Sequence, residues 1–299
     1  MSTSSAAWAI DAARSTAGLP AQRRLARSKA AIPTCAASRA VGGAIPRSAS
    51  DVDDVAIGDL VFGTADFAGQ PSAGAAGIAI LNSWYRVPDG LDPVQAAVLP
   101  MAVQTATWTL DAMGLEPGAT LLVNGAGATV GFAAVQIALR RGARVIATAG
   151  PTFAGELTTF GALVTPYGEG MADRVRTLAG GAVDLVFDAP PPNAGSIPEL
   201  IAVAGDPSRV MTISNHDEAR SLGARVNLDY IAGLAPAATF MPQYASLAAD
   251  GAFYIPIART YPLAEWRDAV KLSVSGHPHG KVVLLPEGRA WPTIPTTAK

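Results

Sequence analysis

Cysteine is nearly absent: Cys35 is the only one in 299 residues, which excludes an internal disulfide framework. Histidine is almost as scarce. With only His216, His277 and His279, the chain has little from which to build a zinc site, and the closely spaced His277 and His279 read as a polar turn. Charged residues make up 15% of the chain and leave a net charge of −2, so no strongly basic surface recommends nucleic acid or an anionic membrane as a partner. A small-molecule ligand is the better expectation. Long apolar runs are missing too: Asn, Thr, Arg, Gly and Pro interrupt every candidate before it reaches the roughly 18 to 20 residues of a bilayer span. A cytoplasmic protein is expected. Aromatic side chains are few and scattered, and Trp84, Tyr85 and Trp108 read as core residues.

What the chain does have is apolar residues, 49% of the total, enough to bury a core in one large or two moderate domains. Its charge changes sign along its length. Residues 1–50 hold seven of the 22 basic residues and one of the 24 acidic ones, leaving 15 basic against 23 acidic in the remainder. This first segment is rich in Ala, Ser and Arg, sustains no strand-like alternation, and reads as an atypical, poorly ordered extension in preference to a transit peptide. It lacks the apolar stretch of a secretory signal.

Order is expected from residue 51. Short β segments fall near residues 60–62 and 77–81, Asp92 with Pro93 reads as a helix N-cap and first helical position, and a helix spans about 101–113. Apolar strands at 121–124, 144–148, 183–188, 210–213 and 252–255 then alternate with helical segments. They have the composition of strands covered on both faces, which predicts an α/β fold with a doubly wound parallel sheet. A helix at 263–275 and a strand at 282–284 close the chain, and there is no internal repeat.

The most informative stretch is LLVNGAGATVG, residues 121–131. Gly125, Gly127 and Gly131 follow a buried strand and precede an Ala/Val/Ile/Leu helix that ends at Gly142. The spacing is G-x-G-x-x-x-G, one residue longer than the usual dinucleotide fingerprint. Gly125 and Gly127 suit a sharp turn and the close approach of a pyrophosphate, and Gly131 suits close packing of helix on sheet. Backbone amides near Ala128, Thr129, Val130 and Gly131, with the positive end of the helix, would hold the phosphates. The second strand ends in Ala147, Thr148, Ala149 and Gly150, without the acidic residue that hydrogen-bonds an NAD ribose. That favours NADPH over NADH, with Thr148, Thr152 and Tyr167 as neutral donors.

Four stretches resemble the medium-chain dehydrogenase/reductase superfamily, in its zinc-independent quinone oxidoreductase branch: VAIGDLVFG, AAVLPMAVQTATWTL, LLVNGAGATVGFAAVQIALRRGARVIATA and YPLAEWRDAVKLSVSGHPHGKVVL. The resemblance covers roughly residues 51–286 and accounts for the longer glycine spacing. It implies a Rossmann domain over 106–255 and a partial, mainly β GroES-like domain from 51–105 and 256–290, with NADPH in the cleft between them and no metal. It implies hydride transfer to a quinone or enone, with Thr105 near the nicotinamide, Tyr167 near the adenosine 2′-phosphate, and Ile213 and Ile255 lining the nicotinamide pocket by fold position. A quinone acceptor needs little acid–base help, so no proton donor or other catalytic residue is named. A homodimer is implied as well.

The chain departs from the family pattern in two places. Residues 1–50 do not match the strands the family places before the VGDRVFG-like segment, and Asp188 is followed by APPPN where a glycine-containing turn is usual. A second expectation is therefore a catalytically idle nucleotide-binding relic or sensor. A third, a methyltransferase on a similar sheet, leaves the PLAEW…GK and VLPMAVQTA segments unexplained.

Overall fold

The structure is a computed structural model that describes residues 29–31, 40–47, 54–56, 58–66, 75–192, 195–276 and 278–286. The chain divides into two compact units, Met1–Met101 with Phe240–Lys299, and Ala102–Thr239. These boundaries differ from the sequence division at 105/106 and 255/256.

Four antiparallel strands of the first unit close into a barrel: β1 (Lys29–Ala31), β2 (Ala40–Arg47), β3 (Leu60–Ala65) and β4 (Ile78–Arg86), with β1 pairing both β2 and β4. In β3, Val61, Phe62 and Ala65 are buried, and Phe62 stands opposite Tyr85 of β4 with ring centroids 5.4 Å apart. The sequence predicts no strand before residue 60, and β1 and β2 correct that. Gly42, Gly43 and Pro46 break the alternation that marks a strand. The pairing that holds β2, from Ala40 with Thr64 to Ala44 with Leu60, is made to a distant segment and cannot be read locally. The rest of 1–50, including Cys35 and the extension or transit-peptide reading, lies outside the described residues, as does His277.

Helix α1 (Pro93–Met113) is longer than the expected 101–113. It starts where Asp92 Oδ1 accepts the amides of Val94 at 2.8 Å and Gln95 at 3.1 Å, the N-cap geometry predicted for Asp92. The predicted strand–helix alternation follows in the second unit: β5 (Thr120–Asn124), α2 (Thr129–Arg140), β6 (Arg144–Thr148), α3 (Pro151–Phe160), β7 (Leu163–Thr165), α4 (Met171–Ala179), β8 (Leu185–Asp188), α5 (Ile197–Ala204), β9 (Val210–Thr212), α6 (His216–Ser221) and β10 (Arg225–Val226). Six parallel strands lie in the order β10-β9-β8-β5-β6-β7. The order reverses between β5 and β8, which is where a doubly wound sheet opens its ligand crevice, at the carboxyl ends of the strands. Leu121, Leu122 and Val123 of β5 are fully buried, as expected of a strand covered on both faces.

The chain ends with α7 (Met241–Ala249), β11 (Ile257–Pro262), α8 (Trp266–Val274) and β12 (Lys281–Leu285), β11 and β12 being parallel. The expected strand at 252–255 is absent. The amides of Ala252 and Phe253 both turn back to Leu247 O, at 2.8 and 3.1 Å, so this apolar segment closes α7. The strand begins only after Pro256.

Replacing Asp92 by Ala removes the acceptor of two α1 amides. It should lower unfolding free energy by about 1 kcal/mol, measured as a lower urea midpoint at unchanged slope.

Candidate functional site

Each of the five strands β5 to β9 ends on a polar residue that is buried: Asn124, Thr148, Thr165, Asp188 and Thr212. Cross-strand register aligns Thr148 with Thr165, Asn124 with Asp188, and Asp188 with Thr212. The side chains of four of them join. Thr148 Oγ1 donates to Asn124 Oδ1 at 2.7 Å, Asn124 Nδ2 donates to Asp188 Oδ1 at 2.9 Å, and Thr212 Oγ1 donates to Asp188 Oδ2 at 2.7 Å. Asn215 Nδ2 adds a bond to the same Oδ2 at 3.0 Å and another to Ser196 Oγ at 3.1 Å. Burial pushes the Asp188 carboxyl above its ordinary pKa of 3.8, the three donors pull it down, and the charge of Glu218 adds to the rise.

The glycine-rich loop starts from this row. The Gly125 amide donates to Thr148 Oγ1 at 2.9 Å and the Ala126 amide to Thr148 O at 2.9 Å. Gly125 has φ +74°, and a Cβ there would lie 2.7 Å from Pro190 N. A Cβ on Gly131 would lie 2.4 Å from Gly125 O, so only glycine lets the first turn of α2 rest on the loop backbone. Gly127 differs: its Cβ would meet only Phe153 Cδ2, at 3.4 Å.

The first bond of α2 runs from Phe132 N to Ala128 O, 2.7 Å. The amides of Thr129, Val130 and Gly131 precede it and have no acceptor within the helix. Ala128, the N-cap, has no side chain to supply one. Three adjacent donors at the positive end of a 12-residue helix, over a bare loop, form a cradle suited to a phosphate group.

A sequence family described as Zinc-binding dehydrogenase matches residues 160–284. Erythronolide synthase EryA2 of Saccharopolyspora erythraea is 37% identical over 153 residues, which are 49% of this chain and 4% of that protein, so the chain spans only a small part of that relative's length. The Chloroplast envelope quinone oxidoreductase homolog of Arabidopsis thaliana is 26% identical over 84% of this chain and 80% of its own. The crystal structure of the CurK enoyl reductase superposes with a TM-score of 0.71 at 19% identity, covering 90% of this chain and 94% of the other, and carries the same fold. The chain is thus similar to zinc-binding dehydrogenase sequences over residues 160–284 and shares the fold of solved alcohol dehydrogenase superfamily and quinone oxidoreductase structures.

The pyrophosphate of a dinucleotide would suit the cradle at 129–131. Among the described residues no three His, Cys, Asp or Glu side chains gather where they could hold a metal ion. Among the described residues no helix is long and apolar enough to cross a membrane.

The residues singled out in the sequence do not all meet. Tyr167 is brought to the end of β6, where a Cβ on Gly150 would lie 3.6 Å from its ring Cε1 and its Oη. Thr152 is the exposed second residue of α3. An open, mainly apolar groove of about 520 Å³ runs beside them, lined by Ala149, Pro151, Ala154 and Thr158 on one side and Val164 and Pro166 on the other. Thr148 departs from its expected role as an open donor: it is fully buried, and its hydroxyl accepts from Gly125 and donates to Asn124. Half-buried Thr105 lies in the middle of α1, and Ile213 follows β9 with its amide on Asp188 O at 3.1 Å. Ile255 is fully buried in the first unit, while the loop belongs to the second.

Two features escaped the sequence. The row of polar strand ends was visible as Asn, Thr, Thr, Asp and Thr closing successive apolar runs. Arg174 of α4 was overlooked because it lies far along the chain from β6. Its Nε donates to Thr165 Oγ1 at 3.0 Å and its other nitrogens to Glu169 O and Pro166 O at 2.8 and 2.9 Å, placing a cation against the loop that carries Tyr167.

Gly131→Ala should destabilise the second unit by about 1–3 kcal/mol through overpacking, whereas Gly127→Ala should leave stability nearly unchanged. Paired urea titrations of the two variants measure the contrast, and equal effects would contradict the geometry.

Proposed function

We propose that this chain is an oxidoreductase that binds NADPH through its second unit and passes hydride to a quinone or an enone, without zinc, as a cytoplasmic homodimer. The observation that carries the reading is the uncapped start of α2, held against the loop backbone by Gly131. In this reading the amides of Thr129, Val130 and Gly131 hold the pyrophosphate, and Gly125 and Gly127 keep side chains out of its way. Support for NADPH over NADH comes from the neutral end of β6 and from the Arg174 guanidinium bound to the Tyr167 loop. A 2′-phosphate there would meet a hydroxyl and a cation and no carboxylate from β6.

NADPH, when bound, supplies the hydride. The chain's part is to orient the nicotinamide and exclude water, and Thr105 and Ile213 are the residues proposed beside it. Similarity to the Arabidopsis quinone oxidoreductase homolog and to the CurK enoyl reductase supports a quinone or an enoyl acceptor. Strands β1 and β2 supply barrel pairing that the sequence lacked, which weakens the motive for reading the chain as an idle relic.

Fluorescence titration with NADPH and NADH, with naphthoquinone-dependent oxidation followed in the same cuvette, tests the reading. Saturable NADPH binding, tighter than NADH binding, with turnover is expected. Gly127→Asp should fold, because its Cβ has room, and should weaken NADPH binding by at least about tenfold through repulsion of the pyrophosphate. Unchanged affinity would remove the loop from the site.

A further inference from the structure

The row of strand-end side chains has only one direction in which its hydrogen bonds can run. Thr212 Oγ1 accepts the amides of Ser214 and Asn215, both at 3.1 Å, so its own proton is the one that goes to Asp188 Oδ2. Asn215 also offers Asp188 an N–H. An ionised carboxylate can only accept, so the Asn124 group that faces Asp188 is the NH2. The Asn124 carbonyl is thereby turned toward Thr148, whose proton it takes. This leaves the Thr148 oxygen to accept the Gly125 amide. Every donor in the row is matched only while position 188 accepts from both sides.

We propose that Asp188 is the positioning residue of the glycine-rich loop: as the acceptor on which the row converges, it orients Asn124, through Asn124 orients Thr148, and through Thr148 fixes the Gly125 amide at the head of the loop. Asp188 makes no side-chain hydrogen bond to the loop itself; its influence passes through two intervening side chains. An amide at position 188 offers a donor as well as an acceptor. Asn124 is then free to turn over and present its NH2 to Thr148, and the Thr148 proton loses its acceptor in a buried site. That the loop so positioned receives a dinucleotide rests on the function proposed above. The orientation of the loop by Asp188 does not.

The test is residue-resolved amide hydrogen exchange on the full-length protein without cofactor, followed by NADPH titration of the same samples. Asp188→Asn should lower protection of the Gly125 amide about tenfold, with NADPH affinity falling in the same proportion. Thr148→Val, which keeps the shape and loses the hydroxyl, should do the same, and Thr148→Ser should restore protection and affinity. A merely structural Asp188 would loosen Asn124, Thr212 and Asn215 and leave Gly125 as protected as before; that result overturns the proposal. Should Asp188→Asn fail to fold, Thr148→Val decides: unchanged Gly125 protection would break the relay at its last link. If the parent protein binds no NADPH, the proposed function fails, while the exchange data still decide the role of Asp188.

Discussion

A buried carboxylate that accepts from both sides of the switch in strand order is the constraint on which the site depends. Asp188 ends β8, next to β5, and its three donors come from β5, β9 and the turn after β9. Charge-assisted bonds of this kind contribute roughly 1.5–3 kcal/mol each, yet taking the charge out of water costs several kcal/mol, and the raised pKa says that burial wins. A carboxyl whose folded pKa exceeds its unfolded value contributes stability that is full below the ordinary value and lost as pH rises through the folded one. At neutral pH, therefore, the ionised form that the row requires is held at a cost to stability. The cost falls at the carboxyl edge of the sheet, where a ligand would be received.

A second constraint, steric in origin, meets the first at the same loop. Gly131 sets α2 on the backbone of Gly125 and Ala126, and Pro190 lies against Gly125 from the β8 side. Phe132 of α2 packs against Phe153 and Phe160 of α3, with centroids 5.4 and 5.5 Å apart. The loop is thus held by hydrogen bonds beneath it and by packed backbone on two sides. Rigidity of this kind lets free amides keep their aim before a ligand arrives, which lowers the ordering cost of binding. Pro190, two residues after Asp188, is the proline that faces Gly125, in a segment where the family that the sequence resembles more often has a glycine-containing turn.

The parts of this arrangement that were legible are those set by neighbours in sequence. Asp92 and Pro93 start α1, and β5, the loop, α2 and β6 follow from apolar runs punctuated by glycine. What was not legible depends on distant partners. Strand β2 is recruited by β3 in spite of its two glycines and proline, and residues 252–253 are captured by Leu247 before they can extend. The polar strand ends could be seen one by one, but only the order of the strands brings Asn124 between Thr148 and Asp188. Sequence alone reads Thr148 as a surface donor because a hydroxyl at the end of a strand looks the same whether it faces a ligand or a neighbouring strand.

The reassignment of Thr148 moves the burden of cofactor discrimination. With its hydroxyl committed to Gly125 and Asn124, the end of β6 has little left to tell a ribose hydroxyl from a phosphate. In the NADPH reading that task passes to the segment after β7, where Tyr167 reaches Gly150 and Arg174 binds the carbonyls of Pro166 and Glu169. The guanidinium is spent as a donor but not as a charge, and it acts through space on whatever anion the loop meets. Arg174 also reaches Thr165, the strand end aligned with Thr148. The polar edge that ties down the glycine loop on one side thus anchors the cation beneath the Tyr167 loop on the other. Both ends of a dinucleotide's phosphate recognition would then be set by one line of buried residues.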